Sequence, residues 1–469
     1  MRAVSPFPSP RVGYLPPIHV GLGRQFALAG PDPAFGCLRI TSSFNLKFQM
    51  SAMYEESFTL FNTHPWTVAA AILVATVLIL HVLLRSPPPP TTLHELSPTT
   101  GAIACGTGGY NVLTSVDLGV GGSTRGSKEA FTKTEESELV TVRVTAAGVN
   151  YADVCIRWGL YASWNAFGGG QRPGGNNDVP GFEFSGIVEA VGSKVPRGRF
   201  AVGDEVFGVT LFGGYSSRVV VPFRALFPRP PTLSLSEAAA FPCVALTAWF
   251  AIARLASPIA AGEWVLVHSA AGGVGSMLVQ LARLQGWRVL GVVGKAHKVA
   301  ACEALGADIV VDKSGKTSAA LWAEIKRAVP SGFSAIFDAN GVATLRQSFE
   351  NLAPCGKLVV YGFHSMLPRK GGVLTVRHWL GMALDWVRTP RFNPLNMTAT
   401  NRSVLAFNLS FLFARQDILT AAMDELIACV LDGRLVIPRV TEYAMEDVQK
   451  AHAALESGMT VGKLVLVVN

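Results

Sequence analysis

The stretch Ser269-Ala270-Ala271-Gly272-Gly273-Val274-Gly275 constrains this chain more than any other. An apolar run from Trp264 to His268 precedes it, and an amphipathic run from Ser276 to Leu284 follows, stopping at Gly286. That order predicts a strand, a glycine turn and a helix. Ala270, Gly272 and Gly275 take the three glycine positions of a phosphate-cradling turn. There Gly272 lets a backbone approach a pyrophosphate, Gly275 lets the helix pack closely on its sheet, and the helix N-terminus offers unpaired N–H groups to an anion. An ordinary tight βα turn shares this outline, so the rest of the chain must decide between them.

Around the turn, strand-like runs at 265–268, 288–293, 309–311, 335–338 and 357–362 alternate with helical ones. One helix is expected over 236–253, and another ends at Leu305-Gly306. The alternation implies an α/β fold, a doubly wound parallel sheet covered on both faces. Upstream, from about residue 105, short runs at 109–113, 138–144, 184–191, 206–210 and 217–221 are separated by glycine turns and predict a mainly β lobe. The last run, Lys463 to Val468, is expected to return to that lobe.

With 469 residues and 49% apolar content, the chain can bury two lobes and still carry appendages. The formal charge of +8 comes from scattered Lys and Arg rather than a basic stripe, so nucleic acid is not an expected partner. Seven cysteines form no Cys-x-x-Cys pair, which suits a reducing compartment and gives no thiolate zinc site.

Residues 1–65 read as a leader or disordered tail: Arg2, Arg11, Arg24, Arg39 and Lys47 face a single early acid, Asp32, and Met50 or Met53 leaves a later start open. From Trp66 to Leu84 no Asp, Glu, Lys or Arg occurs. At about 1.5 Å per residue this run approaches 30 Å, so a single membrane-spanning helix is expected. Arg85, Ser86 and four prolines begin a Pro-rich linker over 85–104. Arg85 after the span, against Glu55 and Glu56 before it, places the large domain on the cytoplasmic side. A mitochondrial or plastid membrane stays open.

Several ordered stretches carry a resemblance. They are Ala146 to Asp153, Gly159-Leu160-Tyr161, Pro180-Gly181-Phe182-Glu183-Phe184-Ser185-Gly186, Gly203-Asp204-Glu205-Val206, the glycine loop and Val461-Gly462-Lys463. Together they resemble the medium-chain dehydrogenase/reductase superfamily in its zinc-independent quinone oxidoreductase branch. Arg388 to Leu395, Asn401 to Val404 and Phe407-Asn408-Leu409 resemble, more narrowly, the synaptic-vesicle membrane protein (vesicle amine transport protein) group. The resemblance implies a GroES-like catalytic domain over 105–236, an NADPH-binding Rossmann domain over 237–404 and a return to the catalytic domain over 405–469. A homodimer is the family's expectation. Trp379, Met382 and Trp386 form an aromatic stripe suited to core or subunit interface.

In zinc-dependent relatives, the positions matching Asn150 and Phe182 hold a cysteine and a histidine ligand; asparagine and phenylalanine cannot replace them, so no metal is expected. Hydride transfer from nicotinamide then needs hydrogen-bond donors and a proton from a side chain or water. By resemblance, Tyr161 is either that proton donor or an aromatic wall. Asn150 is expected to hydrogen-bond the substrate carbonyl or a cofactor ribose. An insertion, Phe167 to Asn177, borders the expected pocket.

About 20 residues past the loop, where an acid would bind the ribose hydroxyls of NAD, the chain reads Gly294-Lys295-Ala296-His297-Lys298. With Lys295 and Lys298 there and no carboxylate, NADPH is the expected cofactor. Thr247, the turn residues Ala271, Gly272, Gly273, Val274 and Gly275, Asn340, Gly341, Gly362, Phe363, Phe407, Asn408, Leu409 and Lys463 match cofactor-lining positions by resemblance. The chain so read is a membrane-anchored NADPH oxidoreductase acting on a quinone or an α,β-unsaturated carbonyl. The alternative is a membrane adaptor on the same scaffold that binds NADPH with little or no turnover.

Overall fold

The computed structural model describes residues 101–105, 113–117, 124–125, 136–167, 179–366 and 376–468. The expected leader, the membrane span from Trp66 to Leu84 and most of the 167–177 insertion lie outside the described residues. Among the described residues, no helix is long and apolar enough to cross a membrane. Residues 101–104, read as the end of the linker, form with Cys105 a strand, β1 (Gly101–Cys105), paired antiparallel with β2 (Leu113–Asp117).

The β lobe is built on β4 (Leu139–Val149), which follows the short β3 (Thr124–Arg125). Val140, Val142 and Val144 are at most 2% exposed, because a half-buried strand sends alternate side chains to the core. β5 (Glu183–Val191), β6 (Glu205–Val209), β7 (Arg218–Pro222) and β8 (Leu226–Pro228) complete its local part. Both β5 and β7 run antiparallel to β4.

The helix expected over 236–253 is broken. Ser234 caps Leu235–Ala239, accepting from the Glu237 N–H, and a second helix starts at Pro242 and runs to Trp249 before a wider turn over Phe250–Ala256. Pro242 has no N–H to continue the first helix and is suited only to starting another.

The second lobe is a six-stranded parallel sheet of β9 (Trp264–His268), β10 (Arg288–Val293), β11 (Ile309–Asp312), β12 (Phe333–Asp338), β13 (Leu352–Val360) and β14 (Ser403–Ala406). Its order is β11-β10-β9-β12-β13-β14, so the winding direction reverses between β9 and β12. Ligands bind such sheets in the crevice beyond the carboxyl ends at that reversal. Leu266, Leu290, Ile336 and Leu358 are fully buried in one core beneath it.

The chain then returns to the first sheet through β15 (Val440–Ala444) and β16 (Lys463–Val467). β16 lies antiparallel to β4, with Leu464 opposite Val149. On its way in, Gly462 donates its N–H to Ala271 O at 2.8 Å, so the last strand enters against the glycine loop.

Candidate active site

The loop after β9 has the geometry that an anion requires. Ser269, with φ +55, turns the chain out of the strand, and the helix Gly273–Leu284 opens at Gly272 with no side-chain cap. Its first N–H groups are left to an outside acceptor. A Cβ on Gly275 would stand 2.2 Å from Ser269 O, whereas one on Gly272 would meet nothing closer than 3.3 Å. Gly275 is therefore required by the packing of the helix, and Gly272 keeps an approach open.

Across the reversal, Ser269 Oγ donates to Asn340 Oδ1 at 3.1 Å. Asn340 is 7% exposed, and its Nδ2 has no partner. A buried donor without an acceptor at this crevice fits a ligand's oxygen. Asp338 holds the turn, accepting from the N–H of Asn340 and Gly341 and from the hydroxyls of Thr344 and Ser348. The loops after β12 and β13 touch, since a Cβ on Gly341 would lie 2.8 Å from Phe363, and one on Gly362 would lie 3.2 Å from Ala339 O.

Below the loop, Asn150 and Lys463 meet an acid that the sequence reading did not single out. Glu183 and Lys463 pair at 2.8 Å with side chains 0% and 4% exposed. Asn150 donates from Nδ2 to Glu183 Oε1 at 2.8 Å and accepts from Lys463 Nζ at 2.5 Å. Lysine only donates and carboxylate only accepts, so the amide's orientation is fixed by its neighbours. One Nδ2–H remains available.

Lys463 also donates to Val149 O, so all three of its N–H groups are committed. Lys463, expected by resemblance to line the cofactor, holds Asn150 with its ammonium and adjoins the loop through its neighbour Gly462. Glu183 Oε2 accepts from the Cys243 N–H at 2.7 Å. An acid between Phe182 and Phe184 was the available signal, because a buried carboxylate implies a buried partner.

Tyr161 OH donates to Asn408 Oδ1 at 3.0 Å and lies 3.0 Å from Ser410 Oγ. Burial pushes its pKa up to about 12, so the phenol stays protonated across the ordinary pH range. Its ring packs edge-on against Phe182, which in turn packs on Phe212. Phe182, at the position expected by resemblance to hold a histidine ligand in zinc-dependent relatives, is enclosed by these rings. Because Phe182 and Glu183 are adjacent, Tyr161 and Asn150 flank one strand entrance.

The remaining expected residues divide. Lys295 is exposed at the end of β10. Lys298, expected to attract the phosphate, is buried, and its ammonium donates to Gly458 O at 2.7 Å and Thr460 O at 2.6 Å, which ties the two lobes together. Thr247 Oγ1 donates to Cys243 O within its own helix. Phe407 packs on Phe250, Phe363 is 45% exposed, and Leu409 follows Asn408, whose Oδ1 also accepts from the Ser410 N–H.

Behind the site lies a second buried group. Asp153 accepts from the N–H of Asn150 and Gly181 and from Tyr215 OH, and Tyr215 OH contacts His452 Nε2 at 3.2 Å. Burial lowers the His452 pKa to about 3 and raises that of Asp153 to about 7. Unfolded His452, near 6.5, takes a proton the folded state refuses, so its contribution is complete above that value and is lost as pH falls towards 3. Asp153 acts oppositely, its contribution falling as pH rises through about 7. Urea unfolding at pH 7 and pH 4 is expected to show a smaller acid-side loss in His452→Gln than in the wild type.

Comparison with known proteins agrees with this architecture. Residues 136–231 match the family model described as alcohol dehydrogenase GroES-like domain, and residues 305–466 match that described as zinc-binding dehydrogenase. The second match excludes both Asn150 and Phe182, so its description does not bear on the ligand positions. The Danio rerio synaptic vesicle membrane protein VAT-1 homolog is 29% identical over 332 residues, which cover 71% of this chain and 64% of that protein. A probable quinone oxidoreductase from Schizosaccharomyces pombe is 29% identical over 337 residues, 70% of this chain and 89% of that one. The structure of Escherichia coli quinone oxidoreductase complexed with NADPH superposes with a TM-score of 0.61 at 26% identity, covering 78% of this chain and 100% of that one.

Proposed function

Because the chain belongs to the zinc-independent branch of the medium-chain dehydrogenase/reductase family, we propose that it is an NADPH-dependent oxidoreductase whose substrate is a quinone or an α,β-unsaturated carbonyl. The observation that carries the cofactor reading is the uncapped helix behind Gly272, facing the orphaned Asn340 Nδ2. NADPH, when bound, supplies the hydride. The chain's own residues do the rest. The helix N-terminus and Asn340 hold phosphate and ribose oxygens, and Lys295 favours the 2′-phosphate by charge.

Asn150, locked by Glu183 and Lys463, presents its free N–H to a carbonyl or ribose oxygen. Tyr161 offers its hydroxyl proton to the reduced substrate by turning it from Asn408 Oδ1, while Ser410 Oγ donates to the phenol oxygen, which regains a proton from water. Residues 66–84 tether the enzyme to a membrane as one apolar span, a reading that rests on their uncharged sequence and length.

The experiment measures NADPH binding to the soluble part from about residue 95, then NADPH oxidation across a panel of quinones and enones. Tight binding with turnover is expected; tight binding with no oxidation on any acceptor would leave the adaptor reading. Tyr161→Phe keeps the ring and removes the proton, so kcat should fall about 10²- to 10⁴-fold if the phenol is the donor. An unchanged kcat would make Tyr161 a wall. Lys295→Glu should weaken NADPH at least about tenfold relative to NADH. For the tether, carbonate extraction should leave the full chain in the membrane pellet, and its release would exclude a span.

A further inference from the structure

A cleft of about 790 Å³ opens among the helices Leu345–Glu350, Val376–Arg388 and Pro394–Thr400, and no glycine-loop residue lines it. Four arginines face it, Arg346, Arg388, Arg391 and Arg402, against two acids, Glu350 and Asp385. Arg346 is the one that pairs, with Glu350 at 3.6 Å. Among the described residues Arg388, Arg391 and Arg402 make no ion pair, and Arg402 Nε is buried without a hydrogen-bond partner. Beside them Phe349 and Phe392 pack with ring centroids 5.1 Å apart, and Met397 adds a further apolar wall.

Like charges converging on one concavity repel each other, and the repulsion is relieved when an anion enters. Guanidinium forks match phosphate oxygens two at a time, whereas the apolar floor gives such an anion nothing. The volume lies in the range of small-molecule sites. We propose that this cleft binds a soluble organic phosphate. Its phosphate oxygens lie on Arg388, Arg391 and Arg402, and its apolar or aromatic body rests on Phe392 and Met397. The cleft borders the loop of Asn340 through Ser365, whose N–H donates to Asn340 O, but it takes in no residue assigned to the cofactor and does not depend on the activity proposed above.

The test titrates the full chain with phenyl phosphate by calorimetry, once with saturating NADPH and once without it, so that failure of the cofactor reading leaves this one testable. One saturable site is expected, weakened by salt and weaker for inorganic phosphate than for the aryl ester. Arg388→Ala/Arg391→Ala, both exposed, and Arg402→Met should each weaken it at least about tenfold, whereas Arg434→Ala, remote and paired with Asp432, should leave it unchanged. Absence of saturable binding at millimolar concentration overturns the proposal, as does binding that both cleft variants retain. Two further results overturn it in favour of another occupant: cleft variants that lose only self-association, or only sedimentation with phosphatidic-acid vesicles.

Discussion

Lys463→Met is expected to lower the unfolding free energy by about 3–5 kcal/mol, measured by urea denaturation near neutral pH. The side chain is of similar length, so packing is nearly kept, and what is lost is charge. Glu183, 0% exposed, would keep the N–H of Cys243 and the amide of Asn150 but no cation. Breaking one half of a buried pair leaves an uncompensated charge, which costs more than the pair contributed. Asn150 also loses the donor that fixes its amide, so NADPH oxidation should fall in the protein that still folds. Lys463→Met/Glu183→Gln should recover much of the stability without recovering Asn150's orientation. If the single variant unfolds like the wild type, the ion pair is not the cost centre of this cleft.

Two glycines in one turn should behave differently. Gly275→Ala puts a Cβ 2.2 Å from the backbone oxygen of Ser269, which no rotamer can relieve. The helix Gly273–Leu284 must shift, at about 1–3 kcal/mol or more, and its N-terminus with it, so NADPH affinity should drop on the order of a hundredfold. Gly272→Ala has 3.3 Å of clearance to the same oxygen. Its fold should survive within about 1 kcal/mol while cofactor binding weakens, because the methyl occupies the approach rather than the packing. Thermal denaturation and NADPH titration of the two variants separate these roles. Equal losses of stability would remove the distinction.

The turn and its flanking elements were legible because each is a local pattern. β9, Gly272, Gly275 and the helix to Leu284 lie within some twenty consecutive residues, and strand and helix periods are written in neighbours. The break at Pro242 was visible as a proline, yet the apolar run around it read as one helix. Lys298 is singled out by its charge and Lys463 by resemblance, and neither says which acceptor a side chain reaches. Lys298 found two carbonyls, and Lys463 found Val149, Asn150 and Glu183. The arginine cleft joins residues from Arg346 to Arg402 that no spacing rule groups together.

By itself, the sequence determined the alternation that makes an α/β fold and the glycine turn that can cradle a phosphate, and its resemblance to zinc-dependent relatives set Phe182 where those hold a histidine ligand. Tertiary structure alone decided the pairings. Asn150 and Lys463 stand 313 residues apart in the chain and 2.5 Å apart in space, because β16 returns to lie against β4. Local pattern sets which backbone forms; it leaves open which buried charges meet. Burial makes that choice, since a charge removed from water persists only where another part of the chain supplies its partner.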